Sequence, residues 1–379
     1  MSDSRQNPGV PAFRLVARDA ASAARLGSLT TSHSEVETPC FLPVGTRGAV
    51  KGVEFDSLEK WDCRAILSNT YHLMARPGRD VIRRAGGLHA FLGWRRAILT
   101  DSGGFQVMSL SSRRRVTDEG VEFRSPEDGT RHFLSPELAV ELQAEFGVDI
   151  AMTLDVCPPF PAERREVEEA CRVSGAWAAR SRRAWGSGEP GGLLFGIVQG
   201  GTHEDLRRRA VAGITDVGFD GYAIGGVAVG EPKDAIRAIT SSTASLLPDE
   251  KPRYLMGVGT PADLLASVRA GVDLFDCVLP TRNGRMGHAY TRRGEVTIKH
   301  ERFKQDLAPL DPDCGCPVCR RHSRAYLRHL FVLGDFSAPM LLSIHNVFFY
   351  LEWMKRIRDS IRAGALATVT APPEGKIAP

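Results

Sequence analysis

The chain lacks any uncharged apolar run of roughly 18 residues, so no segment is long enough for a helical membrane span. Its start, MSDSRQNPGVPAF, lacks the apolar h-region of a secretory signal, and the expectation is a cytoplasmic protein. Neither sign of charge dominates: 49 Lys+Arg stand against 45 Asp+Glu, a net charge of +4, which fits a local nucleic-acid footprint better than wholesale non-specific binding. No internal repeat is found, and no G-x-G-x-x-G opens a helix after an early strand, which weakens a dinucleotide-binding sheet. Cysteine is sparse. Cys40, Cys63, Cys157, Cys171 and Cys277 are scattered through apolar stretches, as reduced thiols are, so there is no disulfide framework.

What is present is an ordinary folded composition, 42% hydrophobic and 25% charged, over 379 residues. That length suits two or three average domains, or one α/β barrel with insertions. Eight short apolar runs end in Gly, Asn, Asp or Ser: 38–46, 64–72, 96–104, 149–159, 193–201, 221–231, 253–261 and 271–280. Amphipathic helical patterns follow most of them, as at 135–147, 163–185, 202–213 and 260–271. Strands buried on both faces and alternating with helices imply parallel βαβ units, and eight units imply a (β/α)8 TIM barrel over 13–277. Ser135, Thr202 and Thr260 are the expected helix N-caps.

Two segments interrupt this pattern. Alternation and turn signals near 108–134 predict a small β-hairpin insert. Residues 278–337 form a second insert, after the eighth strand, and a helix at 338–365 closes the fold. Residues 1–12 and 366–379 are expected to be flexible tails. Arg-rich pieces at 111–116, 180–185, 280–285 and 319–329 could be solvated faces or a nucleic-acid footprint.

The second insert carries Cys314, Cys316 and Cys319 within CGCPVC, the tight spacing of metal ligands around a turn. A fourth ligand is required of a closed tetrahedral site, and spacing alone leaves His322, His329 and His345 open. Asp101, Asp155 and Asp276 each end an apolar strand. One such Asp is commonly a helix cap, but three at the same end of a parallel barrel should face one pocket, joined by Gln199 and by Gly225-Gly226, where glycine lets a flat ligand meet the backbone. Two carboxylates in different environments can act as nucleophile and general acid/base, the division of labour used at glycosidic bonds.

DSGGFQVMSL (101–110), GIVQGG (196–201), GGVAVGE (225–231), RYLMGVGTP (253–261), FDCVLPTRNGR (275–285) and CGCPVC (314–319) together closely resemble the bacterial members of the tRNA-guanine transglycosylase family, along residues 13–365. The resemblance implies a (β/α)8 barrel with an inserted zinc subdomain. It makes Asp276 the nucleophile toward the ribose anomeric carbon and Asp101 the general acid/base. Asp155, Gln199 and the Gly226 amide would hold the base edge beside Ser102, Gly225 and Cys157, with Phe105 and Met256 sandwiching the ring. Phe105 stands where the family often has Tyr, and stacking needs only the ring. Arg282 and Arg285 would anchor the RNA, and Zn2+ would sit on Cys314, Cys316, Cys319 and His345.

The implied reaction exchanges the wobble guanine of a tRNA with a GU(N) anticodon for a 7-deazaguanine. Val229 favours 7-aminomethyl-7-deazaguanine over the bulkier queuine, which is paired with Gly at that place. The implied assembly is a homodimer. A queuine-inserting or DNA-acting relative, or a catalytically silent tRNA-binding subunit, is the alternative, and the silent subunit is disfavoured by the presence of both Asp101 and Asp276.

Overall fold

A computed structural model describes residues 12–110, 114–124, 129–186 and 192–375. The N-terminal stretch 1–11 and the Arg-rich residues 111–113 therefore lie outside the described residues. The strands, in chain order, are β1 (Phe13–Arg18), β2 (Arg25–Thr30), β3 (Glu35–Thr38), β4 (Cys40–Pro43), β5 (Ala65–Asn69), β6 (Ala97–Asp101), β7 (Arg114–Val116), β8 (Val121–Arg124) and β9 (Arg131–Leu134). They continue as β10 (Ile150–Met152), β11 (Leu193–Val198), β12 (Gly221–Ile224), β13 (Arg253–Leu255), β14 (Leu274–Cys277), β15 (His288–Thr291) and β16 (Gly294–Thr297).

Eight of these form one parallel sheet in the order β4-β14-β13-β12-β11-β10-β6-β5, and a parallel bridge between Val44 and Leu67 joins its two edges. The result is the expected (β/α)8 barrel, each strand drawn from one of the eight apolar runs. Alternation sorts the side chains. Leu42, Leu67, Leu99, Met152, Ile197 and Leu274 fill the interior, whereas Phe41, Ile66, Ile98, Ala151, Val198 and Phe275 face the helices. A side chain two residues beyond an interior one therefore also points inward, at the strand end, where the barrel opens.

The first strands depart from the sequence reading. Residues 13–38, expected within the barrel, form a separate antiparallel sheet, β1-β2-β3. Phe13, Leu29 and Val36 of that sheet pack into the same interior cluster as Ala97, Ile150 and Leu193, so it plugs the N-terminal end. The insert at 108–134 is a three-stranded antiparallel sheet, β7-β8-β9, and not a two-stranded hairpin. The chain reverses at Gly120 and again between Arg124 and Arg131, which makes a third strand.

Ser135 and Thr260 cap their helices through side-chain bonds from Leu138 N and Asp263 N. Thr202 does not: the helix starts one residue later, behind His203. Residues 366–375 are not a loose tail in the structure. Leu366 and Val369 are buried, and Arg269 donates to both of their carbonyls. The closing helix spans Ser337–Arg362 and lies against the short helix Leu279–Arg285, where Gly284 permits contact with the Ser343 backbone.

Candidate active site and metal centre

β6 and β14 deliver two of the acids. Ala97 and Leu99 face the interior, so Asp101 does too, and Leu274 places Asp276 the same way. Asp273 falls on the opposite parity and leaves the site entirely. Its carboxylate takes two bonds from Arg25, at 2.9 and 2.5 Å, with both side chains fully buried.

Asp101 accepts from the Asn69 amide, from Thr70 N at 3.0 Å and from Gly103 N at 3.2 Å. Burial nevertheless pushes its pKa up to about 6, because those donors only partly replace the lost water. Asp155 is also pushed up to about 6, by burial first, with the Asp101 charge adding to the rise. Its Oδ2 accepts from Gln199 Nε2 at 2.6 Å, and Ser102 Oγ lies 3.5 Å from Oδ1.

Asp276 is held through one oxygen. Oδ1 accepts from Tyr254 Oη at 2.6 Å and from Gly257 N at 2.9 Å. Among the described residues nothing bonds Oδ2, so one oxygen is steadied while the other stays bare. Burial raises this carboxyl above the usual range, and the Tyr254 and Gly257 donors oppose the rise. Tyr254 belongs to the interior cluster; burial first, and then the charges of Asp276 and Asp101, push its phenol up, so both acids lie near one interior space.

The wall across from them is built by β11 and β12. Gln199 is buried, and its Oε1 has no hydrogen-bond partner. A Cβ at Gly226 would come within 2.3 Å of that atom, and Gly226 also has a φ of +61°, so glycine is required there on both counts. Cys157 is buried beside Asp155 and the Gly226 backbone, and burial pushes its thiol up to about 12; it is a poor nucleophile. Phe105 is about half exposed (48%), which rules out core filling, while Met256 is partly buried against the interior cluster.

Arg282 and Arg285 are exposed on the helix that follows Asp276. Neither makes an ion pair among the described residues. By contrast, Arg180, Arg324 and Arg328 of the other Arg-rich segments pair with Glu137, Asp306 and Glu301. Burial, and then the Arg282 charge, lower the Arg285 pKa, a strain that an anion placed between them would relieve.

In the second insert, donor atoms of Cys314, Cys316, Cys319 and His345 all lie within 4.8 Å of one another. His345 Nδ1 is 3.8, 3.4 and 3.3 Å from the three sulfurs. A tetrahedral zinc with ordinary bond lengths would set a nitrogen and a sulfur about 3.6 Å apart, so the cage fits. His345 Nε2 bonds Tyr290 O at 2.7 Å, which fixes the ring. The open choice of fourth ligand thus closes: His322 stacks on Tyr326 instead, and His329 is exposed. The next residue, Asn346, donates to Pro280 O and His288 O, both at 2.9 Å, and ties the cage to the arginine-bearing helix.

Asn69, Thr70, Tyr254 and Gly257 escaped the sequence reading. Alternation could have found Tyr254, two residues before Met256 on an interior face. A second convergence was also unforeseen, at the opposite end of the barrel. Asp149 lies 2.9 Å from His33 Nδ1 and 3.1 Å from His89 Nε2, and the two rings stack at 3.6 Å. Stacked rings aim their lone pairs within parallel planes, so these histidines grip the Asp149 carboxylate and do not converge on a shared ion. A cavity of about 680 Å³ between Val116, Asp118, Glu166 and Arg172 holds none of the three acids.

The family model described as queuine tRNA-ribosyltransferase matches residues 19–372. Curated proteins named queuine tRNA-ribosyltransferase are similar along nearly their full length. One from Thermoanaerobacter pseudethanolicus is 49% identical over 354 residues, covering 93% of this chain and 94% of that protein. One from Dinoroseobacter shibae is 50% identical over 362 residues, 94% and 96% of the two chains. One from Dechloromonas aromatica is 52% identical over 338 residues, 89% and 92%.

Proposed function

The chain belongs to the queuine tRNA-ribosyltransferase family, and from that premise we propose that it exchanges the wobble guanine of a GU(N) anticodon for 7-aminomethyl-7-deazaguanine through a covalent Asp276–ribose ester. It is a pentosyltransferase of the tRNA-guanine transglycosylase type. The observation that carries the covalent step is the Asp276 carboxylate, with Oδ1 bonded twice and Oδ2 bare at the barrel mouth.

In the first displacement Oδ2 bonds the ribose anomeric carbon as the bond to guanine N9 breaks. The electron pair goes to the base, and Asp101 supplies its proton. In the second, Asp101, now a carboxylate, takes the N9 proton of the incoming base; N9 attacks the same carbon and the ester oxygen leaves. A pKa of about 6 leaves Asp101 able to serve both steps near neutral pH. Two inversions retain configuration.

Asp155, Gln199 and the Gly226 amide offer acceptors and donors to the base edge, with Ser102, Gly225 and Cys157 around them and Phe105 and Met256 for its faces. Arg282 and Arg285 are free to hold phosphate. Zn2+ would be held by Cys314, Cys316, Cys319 and His345; it supplies a structural cross-link and no chemistry at the base. A homodimer is supported by the exposed Leu307, Tyr326, Val332, Leu333 and Phe336, all within the second insert.

The test is Asp276→Asn assayed for exchange of labelled guanine into tRNA and for a covalent band on denaturing gels. Both should vanish while tRNA still binds, and retained turnover would remove Asp276 as nucleophile. Offering labelled deazaguanines singly decides which base is inserted.

A further inference from the structure

The helix Glu204–Val217 buries a cation that the exchange chemistry does not use. Arg207 is 1% exposed and makes no ion pair among the described residues. A buried cation out of ion-pair contact with any carboxylate is expensive, and the Glu231 charge acts on it only at longer range. Burial lowers its pKa to about 10, so it is still a cation at neutral pH.

Its partners are backbone carbonyls at the ends of two barrel strands. Nε donates to Gly201 O at 2.9 Å, Nη1 lies 3.5 Å from Val198 O, and Nη2 donates to Gly225 O at 2.9 Å and Gly226 O at 3.0 Å. The approach is tight enough that a Cβ at Gly200 would lie 2.7 Å from Arg207 Cγ.

Peptide geometry gives those contacts a consequence. The 225–226 and 226–227 bonds are trans, and in a trans peptide the C=O and N–H point in opposite directions. With the Gly225 and Gly226 carbonyls drawn back onto Arg207, the N–H groups of Gly226 and Val227 face away from it. Burial holds the Cys157 thiol up, and a hydrogen bond from the Gly226 backbone opposes that rise, as an N–H donor on the pocket side would. A cation on the carbonyl end also polarises each peptide and strengthens its N–H as a donor.

We propose that Arg207 is a positioning residue that holds the Gly225 and Gly226 carbonyls back and so turns the Gly226 and Val227 N–H groups into the pocket. The proposal rests on the base-exchange reading of the site, in which this wall holds the base edge, and adds the side chain that sets its orientation. On that reading the oxygen of guanine accepts there, and the unpartnered Gln199 Oε1 is left for a donor on the same ring.

The probes are guanine and 6-thioguanine, which keep the same ring N–H groups but differ in acceptor strength at that one atom. Calorimetry on the full-length wild-type protein should show guanine binding about tenfold or more tighter. In Arg207→Met that preference should collapse: guanine weakens about tenfold, 6-thioguanine changes far less, and kcat at saturating base stays within about threefold. Arg207→Lys should recover part of the preference. A methionine variant that keeps the wild-type ratio overturns the proposal.

Should the methionine variant fail to fold, hydrogen exchange in the wild-type protein decides. The 226–227 amides should slow with guanine and much less with 6-thioguanine. Guanine binding without that protection overturns the role of Arg207 alone. A wild-type protein that neither binds guanine nor exchanges it overturns the base-exchange reading beneath it.

Discussion

Asn69 and Asp101 stand opposite one another at the ends of β5 and β6, and the Asn69 amide donates to the Asp101 carboxylate. That bond favours the ionised form, against burial that has already raised the group to about 6. Asn69→Ala should therefore move the Asp101 pKa further up. A carboxylate is needed to take the proton of the incoming base in the second displacement, so the acid side of that half-reaction's rate profile should shift to higher pH. Breakdown of the preformed covalent ester by guanine at pH 6 should slow several-fold, with little change at pH 8. A profile superimposable on that of the wild type would remove Asn69 from this role.

Tyr254 plays the matching part for Asp276. Its phenol donates at 2.6 Å to Oδ1, and burial is the largest influence opposing ionisation there. Hydrogen bonds to charged groups contribute about 1.5–3 kcal/mol. Tyr254→Phe should lower kcat by at least about tenfold and move the onset of activity to higher pH, because the attacking form is the carboxylate. KM for the base should hold, since Asp155, Gln199 and Gly226 lie on other strands. Single-turnover trapping of tRNA across pH makes the measurement. A rise in KM at constant kcat would instead make Tyr254 a binding group.

The eight strands were legible because each is a short apolar run closed by a turn residue, the pattern of strands buried on both faces. The three acids were legible because charge at a strand end is conspicuous. Asn69 and Tyr254 were not. Both are common strand-end or interior residues, and only the register of β5 against β6 and of β13 against β14 reveals what they touch. The β1-β2-β3 sheet was missed for a related reason. Its strands are short and alternating, with Glu35 and Glu37 outward, and nothing local says that Phe13, Leu29 and Val36 fill a barrel end. Spacing could not choose among His322, His329 and His345, because only the packing of the closing helix brings His345 back beside the cysteines.

Metal removal should act on RNA before it acts on the base. The cysteine cage shares the closing helix with Asn346, which holds Pro280 O at the start of the Arg282 helix. Cys316→Ser should lose stoichiometric metal, as read by plasma emission spectroscopy, and lower Tm by several degrees. The surviving folded protein should lose affinity for tRNA more than for free guanine. A variant with full stability and no metal would overturn the structural role of the cage.

Asp273 and Asp276, three residues apart, should separate stability from activity. Asp273 accepts from Arg25 Nε and Nη2 and from Arg253 N, behind the barrel wall, and Arg25 also donates to the carbonyls of Asp249 and Lys251. Neutralising one partner strands a buried guanidinium, so Asp273→Asn should cost about 3–5 kcal/mol. Activity per folded molecule should be unchanged, because the side chain points away from the pocket. Asp276→Asn should do the reverse. It relieves a buried acid of its charge and shifts stability by no more than about 1 kcal/mol, yet removes turnover. Paired urea titrations and exchange assays on the two variants read both quantities. Equal losses of stability would mean that strand parity does not separate these two acids.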